Sequence, residues 1–230
     1  MAIAPIDPYP MPRTAELPPN TVSWRVDPHR AVLLVHDMQH YFLAPFRHGA
    51  QPHTDLVANV ALLRERCAAA GVPVVYSAQP GDMTPAQRGL LADFWGAGMS
   101  ADPEDRGIPE VLAPGERDTV LVKWRASAFH RTPLLELLRE QGRDQLIICG
   151  VYAQVGILLT ACDAFAHDIQ PFVVADAVAD FTPDRHRMAL EYAASRCAVV
   201  AETGTVLSGL AAPAAAFAGE FAGDPVGGPS

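Results

Sequence analysis

Short apolar runs alternate with longer amphipathic stretches along this chain. The first run is five consecutive apolar residues followed by a His and a carboxylate, Arg30-Ala-Val-Leu-Leu-Val-His-Asp37. Unbroken apolar runs of this length read as strands buried on both faces, as in a parallel sheet. A strand is therefore expected over 30–36, with others over 72–77, 118–124, 144–150, 169–175 and 197–201. Between them the pattern turns helical. Leu56, Val60, Leu63 and Cys67 form one stripe of a helix over 53–70, stopped by Gly71. Thr84-Pro85 and Thr132-Pro133 read as N-cap and first helical residue, opening helices to about Phe94 and Gln141. Helices over 154–167 and 183–196 complete the set, and 96–117, rich in Gly, Pro and acids, reads as a long loop with one short element. This alternation specifies an α/β fold, a three-layer αβα arrangement with a central, mostly parallel six-stranded sheet.

The two ends lack the pattern. Pro5, Pro8, Pro10, Pro12, Pro18 and Pro19 preclude a helix, so 1–28 reads as an extended Pro-rich arm over the surface. Residues 29–209 read as one domain, and 210–230, mostly Ala, Gly and Pro, as a disordered tail. Half of the residues are apolar, enough for one sizeable core. A formal charge of −9 without a basic cluster argues against nucleic acid and anionic membrane surfaces as partners. No apolar run approaches the roughly 18–20 residues of a membrane span, and the N-terminus does not read as a secretory signal. The four cysteines, at 67, 149, 162 and 197, have no paired spacing. Reduced thiols in a cytoplasm are the expectation.

In open parallel sheets, ligands bind beyond the carboxyl ends of the strands. Asp37 follows the first strand directly, and Lys123 closes the third. The chain has one lysine beside sixteen arginines, and that lysine sits where an apolar strand ends. Asp37 and Lys123 are thus the leading candidates to share a pocket. A third strand end is the turn Gly150-Val-Tyr-Ala-Gln-Val-Gly156, whose backbone amides suit an anion or a carbonyl oxygen; its glycines are as consistent with tight packing as with ligand approach. Phosphate-binding glycine loops and the Gly-x-Ser-x-Gly elbow are absent. The eight histidines lack the close pairs of a zinc site and read as surface or loop residues. No metal and no cofactor is expected.

Three motifs together, His36-Asp-Met-Gln39, Lys123-Trp-Arg-x-Ser-Ala-Phe129 and Gly150-Val-Tyr-Ala-x-x-Gly156, resemble the isochorismatase branch of the cysteine-hydrolase-like superfamily. The resemblance runs to about residue 207 and includes Ala78-Gln-Pro80, Trp95-Gly96 and Ala175-Asp-Ala-Val-Ala-Asp-Phe181. Gly81-Asp-Met-Thr84, Asp168-Ile-Gln-Pro171 and the stretch from His186 to Cys197 are similar to the branch members that hydrolyse 2-amino-2-deoxyisochorismate in phenazine pathways.

The resemblance implies the following. Amidases of the superfamily use an Asp–Lys–Cys triad, and the Cys position falls on Gly156, so no covalent acyl intermediate is implied. The implied chemistry is vinyl-ether hydrolysis with release of pyruvate. Asp37 would protonate the enol-ether CH₂, with Phe42, Trp95 and Phe129 desolvating it. Gln79, Arg88, Tyr152 and the Gly156 amide would bind a small dicarboxylate, with a cis peptide before Tyr152. Isochorismate is the alternative substrate, a homodimer the implied assembly. A non-catalytic scaffold and an amidase with an unusual nucleophile remain as competing readings. Two departures bear on the substrate's ring substituent: Ala126 stands where the family has Tyr, and Gln154 where it has His.

Overall fold

A computed structural model describes residues 3–211; from residue 212 onward the expected tail lies outside the described residues. Strand β1 (Ala31–His36) is buried along its whole length, because alternate side chains feed two separate cores. Ala31, Leu33 and Val35 enter one, and Val32 and Leu34 the other. The remaining strands are β2 (Val74–Ala78), β3 (Thr119–Val122), β4 (Gln145–Val151), β5 (Gln170–Ala179) and β6 (Val199–Ala201). They form one sheet in the order β3-β2-β1-β4-β5-β6, and every pairing is parallel.

The helices follow as α1 (His40–Leu43), α2 (His53–Ala69), α3 (Pro85–Arg88), α4 (Leu91–Trp95), α5 (Pro103–Arg106), α6 (Leu134–Glu140), α7 (Leu158–Ala166), α8 (Pro183–Arg196) and α9 (Thr203–Ala211). The predicted stripe of α2 and the buried residues of α9 cover one face of the sheet, while α6, α7 and α8 cover the other. The three-layer expectation holds, with the sheet fully parallel. No helix among the described residues is long and apolar enough to cross a membrane.

The chain departs from expectation in several places, beginning with the unexpected short helix α1. The helix expected to reach Phe94 is two short ones, broken where Gly89 takes φ +52°. The loop over 96–117 holds two short elements, α5 and a 3₁₀ turn at Glu110–Leu112. The helix expected from 154 begins as a π-type turn, Ala153–Ile157, before α7. Strand β5 continues to Ala179, because a register shift between Ile148 and Gly150 lets Val178 and Ala179 pair with Gly150 and Val151. Helix α9 was not expected, since its Gly- and Thr-rich sequence offers little stripe; it exists because Val206 and Leu210 bury against the α2 side. The Pro-rich arm is extended apart from a 3₁₀ turn at Thr14–Glu16, and it does not lie wholly on the surface. Ile6, Tyr9 and Met11 enter the core, and the Tyr9 hydroxyl accepts from the Asp180 N–H at 2.8 Å.

Register sets the site. His36 lies opposite Ser77 on β2 and Gly150 on β4, and Ala78 lies opposite Val122. The ends of β1 to β4 are therefore level. The chain runs from β1 outward through β2 and β3, then returns to β4 on the other flank of β1. Asp37 and the Gly150–Tyr152 turn face each other across this switch point, where open α/β sheets bind ligands.

Candidate active site

One pocket opens at the level strand ends. It is lined by all eight residues singled out from the sequence as catalytic or binding: Asp37, Lys123, Gln79, Arg88, Tyr152, Gly156, Phe42 and Trp95. Asp37 takes φ +50° immediately after β1, a left-handed conformation that Asp tolerates better than most residues. Its backbone N–H donates to the Ser77 carbonyl at 3.1 Å.

The carboxylate is buried and fully engaged. Lys123 Nζ donates to Oδ2 at 2.8 Å, Ser77 Oγ donates to Oδ1 at 2.6 Å, and Gln79 Nε2 lies 3.4 Å from Oδ2. Lys123 is itself only 1 % exposed, so each charge depends on the other for compensation. Burial acts to raise the Asp37 pKa; His36, Lys123 and the hydrogen bonds from Lys123 and Ser77 act against it and hold it below the ordinary carboxylate value. Burial pushes the neighbouring His36 down, which leaves Lys123 as the lasting cation beside Asp37 and Asp37 ionised at neutral pH.

The opposite wall carries Arg88, 6 % exposed. Its Nε donates to the Gly96 carbonyl at 3.0 Å, and among the described residues it forms no ion pair. A buried guanidinium with spare donors and no carboxylate suits an anionic ligand group. Tyr152 presents a ring to the pocket. Its hydroxyl donates to the Phe42 carbonyl at 2.7 Å, and burial pushes its pKa up. Its ring stacks on Phe181 at 4.2 Å between centroids, and Phe181 stacks on Trp95. The Val151–Tyr152 peptide is cis.

Several sequence readings are corrected here. Phe129 does not reach the pocket; it packs on the α6–α8 side and meets His167. Gln154 faces outward, its side-chain oxygen accepting from Arg185 at 2.9 Å, whereas Ala126 does line the pocket. Gly156 does not stand open. A Cβ there would lie 2.1 Å from His36 Cε1, so tight packing alone requires glycine here, while its backbone lines the pocket. Gly150 is packed in the same way: a Cβ there would lie 2.1 Å from the His36 carbonyl oxygen. His36 itself is no loop histidine; it is fully buried and lines the pocket, and His186 is buried beside Tyr9.

Sequence reasoning also passed over Ser77 and Gln39. Gln39 donates to the Gln79 and Arg106 carbonyls at 3.0 Å each and accepts from the Gln79 N–H at 2.8 Å, tying the segments after β1 and β2 together. The signal for both was a polar residue at an otherwise apolar strand end. Cys149 is buried against the Leu34 carbonyl, all four cysteines are free, and among the described residues no serine, threonine or cysteine lines the pocket.

Comparison with known proteins agrees with this architecture. A cysteine hydrolase from Pseudomonas syringae pv. phaseolicola superposes with a TM-score of 0.74 over 84% of this chain and 97% of its own, at 24% identity, a likeness of fold. The phenazine biosynthesis protein PhzD1 of Pseudomonas aeruginosa is 57% identical over 86% of this chain and 95% of its own length. An isochorismatase of Bacillus subtilis is 55% identical over 91% of this chain and 67% of its own length. The isochorismatase domain model matches residues 31–205. With the fold, the family model and these relatives in agreement, the chain belongs to the isochorismatase family of hydrolases.

Proposed function

We propose that the protein is a vinyl-ether hydrolase that converts 2-amino-2-deoxyisochorismate to trans-2,3-dihydro-3-hydroxyanthranilate and pyruvate. One observation carries the reading: a buried carboxylate, Asp37, shares a pocket with the cations Lys123 and Arg88, and among the described residues no serine, threonine or cysteine lines it. Two cations suit a substrate with two carboxylates. The Ser77 hydroxyl beside it donates to Oδ1 and does not line the pocket, and a proton donor in a pocket without an exposed nucleophile suits enol-ether cleavage and not acyl transfer.

Asp37 in its acid form protonates the terminal CH₂ of the enol ether. The oxocarbenium ion takes up water, and the water's surplus proton returns to the Asp37 carboxylate. The hemiketal then collapses, its hydroxyl proton passing to the ring oxygen, to pyruvate and the dihydro-ring product. The likeness to a phenazine biosynthesis protein supports the 2-amino substrate. The nearly equal likeness to an isochorismatase supports a second reading, isochorismate as substrate and 2,3-dihydro-2,3-dihydroxybenzoate as product. Pyruvate release measured with both compounds side by side tests this. Faster turnover of the amino compound is the expected result, the reverse order selects the second reading, and release from neither leaves a scaffold with this fold. On this reading the enzyme is a cytoplasmic homodimer with its catalytic domain over 29–209. The free cysteines support a reducing compartment, and light scattering checks the dimer.

Two further results are expected. Arg88→Gln raises KM about 10- to 150-fold with a smaller effect on kcat, the loss of one charge-assisted hydrogen bond to a carboxylate; an unchanged KM places the carboxylate elsewhere. The second concerns pH. In the free enzyme Lys123 helps to hold the Asp37 pKa down. Substrate carboxylates neutralise Lys123 and Arg88, so the Asp37 pKa rises in the complex. Activity needs the protonated acid and falls as pH rises through its pKa. The falling limb of kcat therefore lies at higher pH than that of kcat/KM; coincident limbs remove the idea that substrate drives this protonation.

A further inference from the structure

His36 has no part in the steps above, yet it is fully buried and lines the pocket. A Cβ on Gly156 would lie 2.1 Å from its Cε1 and 2.7 Å from its Nε2, so the imidazole occupies the volume that any side chain at 156 would need. An apolar side chain could fill that space equally well. The polar contacts say why a histidine stands there. Nδ1–H donates to the carbonyl of Val151, the last residue of β4, at 2.8 Å, and Nε2 lies 3.4 Å from the carbonyl of Ala126, just beyond β3.

The ring thus springs from the end of β1, bonds the end of β4 and abuts the segment after β3. Those three segments carry Asp37, Tyr152 and Lys123. The charged groups facing the ring are Asp37, whose Oδ1 is 3.8 Å from Nδ1, and Lys123. The neutral ring has a single N–H, and that N–H is committed to Val151. The hydrogen bonds to the Asp37 carboxylate come from Lys123, Ser77 and Gln79 instead.

We propose that His36 is a positioning residue for proton transfer from Asp37: seated over Gly156, its ring ties the Val151 carbonyl to β1 and keeps the Tyr152 wall in register with the acid. The proposal rests on the hydrolase reading.

The test compares kcat and KM for pyruvate release in His36→Leu, His36→Asn, Gly156→Ala and the Gly156→Ala/His36→Asn double variant, with thermal unfolding of each. His36→Leu fills the space without a donor, and its kcat falls about 100-fold while KM changes far less, the size expected from a small misplacement of the reacting groups. His36→Asn retains an N–H near the Nδ1 position and stays within about tenfold of wild type. Gly156→Ala crowds the ring and loses activity, and the smaller Asn at 36 restores it. Wild-type kcat in folded His36→Leu, or an Asn variant no better than Leu, overturns the proposal. If His36→Leu does not fold, the absence of recovery in the double variant overturns it. An active wild type with indifferent variants sinks this proposal alone, whereas a wild type that releases no pyruvate sinks the hydrolase reading and takes this proposal with it.

Discussion

Asp37→Asn lowers kcat for pyruvate release by about 10²–10⁴-fold, the range by which a positioned general acid accelerates a reaction. Asn keeps the shape and the acceptor oxygen that faces Lys123, so substrate still binds and KM changes little. What is lost is the transferable proton. Among the described residues no other carboxylate lines the pocket, so none of them supplies a second acid. The variant also loses stability, because Lys123, 1 % exposed, is left as a buried cation without a counter-charge. Breaking such a pair costs about 3–5 kcal/mol. The assay therefore runs well below the variant's unfolding midpoint, with circular dichroism on the same sample. A folded Asp37→Asn protein with wild-type kcat removes Asp37 as the acid, and a raised KM at constant kcat would make it a binding group instead.

The fold was legible in the sequence because this sheet is buried on both faces. A buried parallel strand leaves an unbroken apolar run, as in 31–36, and the run ends where the polar site begins. Asp37 and Lys123 could be picked out for that reason. Register was not legible, since nothing in 74–78 states that Ser77 lies level with His36; Ser77 was therefore read as a strand residue and not as a donor to the acid. The role of Gly156 could not be settled because it depends on a side chain 120 positions earlier in the chain. Gln154 was misplaced for the opposite reason: a motif fixes a residue's position along a turn but not the side to which it points. The arm was read from its prolines alone, which specify extension and say nothing about Ile6, Tyr9 and Met11 entering the core.

Lys123→Met separates two roles that the wild-type protein combines. In the wild type the folded-state pKa of Asp37 lies below its unfolded value. That carboxylate contributes stability that is complete above the unfolded pKa, about 3.9, and lost as pH falls through the folded one. Without the ammonium, burial is the largest influence left on Asp37, and its folded pKa moves above the unfolded value. The sign then reverses: the variant is favoured while the carboxyl is protonated and loses stability as pH rises above about 4. The gap in unfolding free energy between wild type and Lys123→Met is therefore small at acidic pH. It widens toward neutrality, up to the roughly 3–5 kcal/mol of a broken buried pair. Denaturant titrations between pH 4 and 8 read this directly, and a gap independent of pH would mean that Lys123 acts through packing alone. Catalysis splits in the same way. The substrate loses one carboxylate partner, so KM rises about 10- to 150-fold. Asp37, relieved of its cation, keeps its proton to higher pH, so the falling limb of kcat/KM moves up toward that of kcat. A variant that loses kcat with both limbs unmoved would instead assign Lys123 to the transition state, stabilising charge that develops on the leaving ring oxygen.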